Sequence, residues 1–129
     1  MPKGILVVDD SASIRHSLGR FLRSQHGFEV CGEAADGVEA IEKAQKLQPD
    51  LIVMDLAMPR MNGVDAAATL SSVLPNVPII LFTLHKEAVR SESARASGIS
   101  AVVSKSDGVE ALFREVQRLV GGAARSASG

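Results

Sequence analysis

Along the chain, five short apolar runs alternate with stretches in which apolar residues recur at helical spacing. The runs are Gly4–Val8, Phe28–Ala34, Leu51–Met54, Val77–Phe82 and Ala101–Val103. They are short and rich in Ile, Val and Leu, as strands buried on both faces are. Only the second alternates, with Phe28, Val30, Gly32 and Ala34 on one face, which predicts an edge strand. Between the runs, Ile14, Leu18, Phe21 and Leu22 recur at i, i+4, i+7 and i+8, one stripe of a helix. Val38, Ile41 and Leu47 do so more loosely, as do Val64, Ala67, Ala68 and Leu70, while Val109, Leu112, Phe113, Val116, Leu119 and Val120 mark a final helix. Strand–helix alternation repeated five times predicts a parallel sheet with helices on both faces.

Two helix starts carry the same pentapeptide, Asp-Gly-Val-Glu-Ala, at 36–40 and 107–111. In each, the Asp is placed to cap, and Glu39 or Glu110 three residues on is placed to reach back, so we expect two capping boxes rather than an internal duplication. The segment Lys86–Ser97 has helical spacing but only Val89 as a sizeable apolar anchor, which predicts a weakly packed helix suited to switching. Residues 1–120 read as one domain, and 121–129, rich in Gly, Ala and Ser, as a flexible tail or linker stub.

Composition narrows the class. A chain of 129 residues, 46% hydrophobic and 22% charged, is ordinary for one globular domain and too apolar for disorder. Its net charge of -1 offers no cationic field for nucleic acid or anionic lipid, and its only aromatics are four Phe, a poor base-stacking platform. Cys31 is the single cysteine and forms no internal bridge. No apolar run approaches the ~20 residues of a membrane span, and no secretory leader is visible. We therefore expect a cytoplasmic protein that touches neither membrane nor nucleic acid.

In doubly wound folds ligands bind beyond the carboxyl ends of the strands. There the first run ends in Asp9-Asp10, the third in Asp55, the fourth in Thr83 and the fifth in Lys105. Alone, each has a plain explanation: a helix cap, a solvated turn, a local hydroxyl bond, a loop cation. Together they put three carboxylates on one rim, where mutual repulsion demands positive charge. Lys105 supplies part of it, and an all-oxygen donor set favours Mg²⁺ for the rest. Asp55 then has the surroundings of a nucleophile that takes a phosphoryl group, with Lys105 and Thr83 on the transferring oxygens.

Over residues 4–120 the sequence closely resembles the receiver domain of bacterial two-component response regulators. The resemblance rests on Ile5-Leu6-Val7-Val8-Asp9-Asp10, on Leu51–Asp55 followed by Met58-Pro59-Arg60-Met61-Asn62-Gly63, on Pro78–Thr83, and on Gly98 seven residues before Lys105. It implies a flavodoxin-like (βα)5 three-layer sandwich with strand order 2-1-3-4-5 and Asp55 as phosphoacceptor. It also implies Mg²⁺ held by Asp10, Asp55 and the backbone carbonyl of Ala57, with Asp9 acting through metal-bound water. The donor it implies is a histidine kinase or histidine phosphotransfer protein that docks near the first helix.

Three positions depart from that pattern. Receivers usually carry Tyr or Phe three residues before the Lys, where this chain has Val102, a stiff β-branched side chain with no ring to swing. Leu84 follows Thr83 where a small residue is usual, which predicts slower reaction with small donors and slower water attack. Ser106 stands where a cis-proline is usual, which predicts a trans bond after Lys105. Ala57 offers no polar group to orient water, His85 lies two residues beyond Thr83, and His16 and His26 carry no assigned chemistry.

The function expected is a receiver that takes a phosphoryl group on Asp55 with Mg²⁺, turns over no external substrate, and signals to a protein target by population shift, with Thr83, Leu84 and Val102 at the switch. We expect a monomer or weak homodimer, acting alone or as the receiver of a longer transcription factor. The alternative is a phosphate-independent binding module. A haloacid-dehalogenase-type phosphatase is excluded, because the point after the first strand reads Asp9-Asp10-Ser11-Ala12-Ser13 rather than Asp-x-Asp-x-Thr, and no cap insertion is present.

Overall fold

A computed structural model describes residues 2–121. Its elements alternate as β1 (Lys3–Val8), α1 (Ala12–Arg23), β2 (Phe28–Ala34), α2 (Gly37–Leu47), β3 (Leu51–Met54), α3 (Gly63–Val73), β4 (Ile79–Thr83), α4 (Ser91–Ala96), β5 (Ala101–Ser104) and α5 (Gly108–Val116). Short 3-10 turns at Lys86–Ala88 and Lys105–Asp107 precede α4 and α5. All five strands are parallel, in the order β2-β1-β3-β4-β5, with the second run at the edge. Its expected single face is broken where the register against β1 shifts between Ile5 and Leu6, so Phe28 and Val30 pack with one core and Ala34 with the other.

The continuous apolar runs serve two cores at once. Leu6, Val8, Ile52, Met54, Ile79 and Leu81 face α2 and α3, while Ile5, Val7, Leu51, Val53, Ile80 and Phe82 face α1 and α5. Period-two alternation splits every central strand between the layers, which is why no polar position interrupts them. The result is the expected three-layer sandwich.

Several local expectations need correction. Of the expected stripes, Ala67 and Leu70 are buried and Ile41 and Val64 pack partly buried against the same core, but Leu47 lies exposed and Ala68 faces outward, and Ala40, Ala44 and Ala66 complete the seat. Small side chains let these helices approach the sheet closely, so burial follows fit rather than side-chain size. Of the two pentapeptides, only the first caps: Asp36 Oδ1 accepts the Glu39 N–H at 2.9 Å, and Glu39 reaches back to the Ala35 N–H at 2.7 Å. Asp107 makes no such bond, because it sits in helical backbone at the end of a 3-10 turn and Gly108 follows with φ +85°. A capping side chain needs extended backbone at its own position. The weak helix is real but short, since α4 buries only Ala94. Gly121 closes the last helical turn, and the rest of the expected tail, 122–129, lies outside the described residues.

Candidate functional site

The chain runs outward from β1 to β2 and then returns across β1 to β3, so the strand order reverses between β1 and β3. Loops leaving adjacent strands in opposite directions open a crevice there. Asp9 and Asp10 leave β1, Asp55 leaves β3, Thr83 ends β4 and Lys105 follows β5. Carboxylate oxygens of Asp9, Asp10 and Asp55 lie within 4.8 Å of one another. Asp9 and Asp55 are buried and Asp10 is exposed.

Lys105 joins this group from the far side of the sheet. Its Nζ lies 2.7 Å from Asp9 Oδ2 and 3.3 Å from Asp55 Oδ2. Burial pushes the Asp55 carboxyl above the ordinary carboxylate range, opposed by the Lys105 ammonium and reinforced by Asp9. Three carboxylates against one ammonium leave a negative surplus that matches a divalent cation, and every donor is oxygen. The residues present therefore fit Mg²⁺.

The surrounding backbone is tightly tied. Asp55 N–H donates to Val8 O at 3.0 Å, and Asp55 Oδ1 accepts the Leu56 N–H at 2.8 Å. Ala57 lies exposed in the loop that Gly63 closes through its N–H to Leu56 O, 2.8 Å. A Cβ on Gly63 would strike the Asp55 carbonyl oxygen, so only glycine fits there. Thr83 is wholly buried, and its hydroxyl oxygen accepts the His85 N–H at 3.0 Å, leaving the hydroxyl proton free to donate. Leu84, beside it, is 59% exposed. Val102 is half-buried against the α2–α3 core, and the Lys105–Ser106 peptide is trans. Between the β3–α3 loop and α4 runs a groove of about 490 Å³, with Leu56, Ala57, Val64 and Val89 in its walls.

Two supporting contacts escape sequence reading. Arg60, at φ 67°, grips the Asp36 carboxylate with Nε and Nη2 at 2.8–3.0 Å, tying the loop after Asp55 to the start of α2. Arg15 donates to the Asp9 carbonyl at 2.6 Å and to Glu33 Oε1 at 3.2 Å. A lone Arg on a helix or loop reads as a solvated cation, and only the folded neighbours distinguish these two.

Known proteins resemble this chain in sequence and fold. The response regulator receiver domain model matches residues 5–117, from β1 into α5. The transcriptional regulatory protein PdtaR of Mycobacterium tuberculosis is 38% identical over 131 residues, 94% of this chain and 63% of that protein. Chemotaxis protein CheY of Thermotoga maritima is 39% identical over 104 residues, 80% of this chain and 86% of that one. The crystal structure of the response regulator domain of Thermotoga maritima CheB matches with a TM-score of 0.85 at 29% identity, covering 92% of this chain and 96% of that chain. The chain thus spans less than two thirds of the mycobacterial relative. With acids, hydroxyl and lysine at the ends of a 2-1-3-4-5 parallel sheet and a family match over nearly its whole length, the chain belongs to the response regulator receiver domains of two-component signalling.

Proposed function

We propose that the chain accepts a phosphoryl group on Asp55 from a histidine kinase or histidine phosphotransfer protein and passes the signal to a protein target. An Asp55 carboxylate oxygen attacks phosphorus, the P–N bond to the donor imidazole breaks, and the leaving nitrogen keeps the electron pair. Asp9, Asp10, Asp55 and the Ala57 carbonyl would hold Mg²⁺, which supplies positive charge to the transferring oxygens. Lys105 follows the charge from the carboxylate to the new phosphoryl group, and the free Thr83 proton donates to one of its oxygens. The observation that carries this reading is Lys105 bridging Asp9 and Asp55 inside a cluster of three carboxylates.

Drawing Thr83 toward the phosphoryl group would pull on the segment leading to α4, whose single buried residue makes it the cheapest helix to shift. Val102 brings no ring to this motion, so Thr83 and the following segment, including Leu84, carry it. No external substrate is turned over. Among the described residues no helix is long and apolar enough to cross a membrane. The reading has the chain act in the cytoplasm without membrane or nucleic-acid contact, as a monomer or weak homodimer. Similarity both to a longer transcriptional regulator and to a chemotaxis protein of comparable length accommodates an output through an attached domain or through a separate target.

Acetyl phosphate with Mg²⁺ should add one phosphoryl mass to the protein, and the gain should vanish in Asp55→Asn and in chelator. Absence of the gain in both the parent and Leu84→Ala would reject the phosphoacceptor and leave a phosphate-independent binding module.

A further inference from the structure

Asp9 is fastened at four points. Its N–H donates to Ala34 O at 3.0 Å, Oδ1 accepts the Ser11 N–H at 2.9 Å, Oδ2 meets Lys105 Nζ at 2.7 Å, and its carbonyl oxygen accepts from Arg15 Nη1 at 2.6 Å. The first three hold Asp9 itself. The fourth holds the peptide that joins Asp9 to Asp10. Among the described residues the exposed Asp10 carboxylate makes no hydrogen bond or ion pair of its own, so its aim depends on that peptide plane. Arg15 is in turn locked: its Nε donates to Glu33 Oε1 at 3.2 Å, and its side chain is only 19% exposed. With Nη1 on a carbonyl and Nε on a carboxylate, the guanidinium plane has one orientation.

We infer that Arg15 is a positioning residue for the divalent cation: anchored by Glu33, it fixes the Asp9–Asp10 peptide and thereby the direction from which Asp10 meets the metal. This rests on the reading that Asp9, Asp10 and Asp55 hold Mg²⁺. Groups that orient metal ligands without touching the metal commonly cost ten- to a hundredfold in affinity when lost. The sign of the effect separates positioning from charge. Removing a cation beside three carboxylates strengthens metal binding if only the field matters, whereas losing the peptide anchor weakens it. Geometry also separates Mg²⁺, which demands near-octahedral ligands, from the more tolerant Ca²⁺. A change in field alone moves both ions together.

The test is calorimetric titration of the full chain with Mg²⁺ and with Ca²⁺, for the parent, Arg15→Met, Arg15→Lys and Glu33→Gln, with melting in chelator recorded beside it. Arg15→Met should bind Mg²⁺ roughly tenfold more weakly and lose less for Ca²⁺. Arg15→Lys, which restores one donor to the carbonyl, should recover most of the loss. Unchanged or tighter Mg²⁺ binding in Arg15→Met, or an equal loss for both ions, would overturn the inference, even where the melting temperature falls. Should Arg15→Met fail to fold, Glu33→Gln carries the decision through the difference between the ions: losing its negative charge alone weakens Mg²⁺ and Ca²⁺ alike, so a larger loss for Mg²⁺ supports the anchor, and an equal loss or none rejects it. A parent that binds no Mg²⁺ removes the metal-site reading and this inference with it, an outcome distinct from a variant that fails to differ from the parent.

Discussion

Asp55 sits in an environment that disfavours its own charge. Burial outweighs the Lys105 attraction and holds its carboxyl above the ordinary range. For an acid raised in this way, the folded state binds the proton more tightly than the unfolded chain. Stability of the metal-free protein therefore falls as pH rises from the ordinary carboxylate value to the raised one, and the deficit persists above it. Asp55→Asn should melt higher than the parent by roughly 2–5 °C at neutral pH in chelator, with the difference vanishing in acid; equal melting temperatures at neutral pH would show that Lys105 fully compensates the burial. Leu84 makes a separate prediction. A bulky side chain next to the buried Thr83 should slow water attack on phosphorylated Asp55, so Leu84→Ala should shorten the phosphoryl half-life several-fold, read by the decay of phosphorylated mass after donor removal. An unchanged half-life would assign slow hydrolysis, where found, to other groups.

At the scale of elements, the loop between β3 and α3 is the most constrained part of the site. Arg60 ties it to Asp36, Gly63 passes where no side chain fits, and Asn62 caps α3 by accepting the Asp65 N–H at 2.9 Å. Asn62→Ala should cost about 1 kcal/mol, seen as a lower urea midpoint with an unchanged slope. A changed slope would mean that the loop and helix no longer unfold together with the core. The opposite case is α4, whose six residues bury one alanine and border the groove beside Leu56 and Ala57. Hydrogen exchange should find the amides of α4 opening at far lower free energy than those of β1 and β3, whose residues from Ile5 to Val8 and Leu51 to Met54 are fully buried. Equal protection would remove α4 as the element that moves.

Across the whole molecule, the fold brings distant acids together by running strands in parallel and reversing their order between β1 and β3. Asp9 and Lys105 are 96 residues apart in sequence and 2.7 Å apart in space. The class of fold and the gathering of Asp9, Asp10, Asp55 and Lys105 into one candidate site were legible without coordinates. Continuous aliphatic runs and helical stripes are properties of neighbouring residues, and in a parallel sheet the residue after each run necessarily lies on one rim. That is why Asp9, Asp10, Asp55, Thr83 and Lys105 are found from their positions along the chain. What tertiary structure alone decided has a common cause, since it depends on distances between segments remote in sequence. Helix-to-sheet spacing buried Ala40 and Ala44 wholly, kept Ile41 at the margin of the same core and left Leu47 exposed. The conformation entering α5 silenced the second Asp-Gly-Val-Glu-Ala cap while the first formed. Arg15 on Asp9 and Glu33, and Arg60 on Asp36, were solvated cations until folding brought their partners within hydrogen-bond reach.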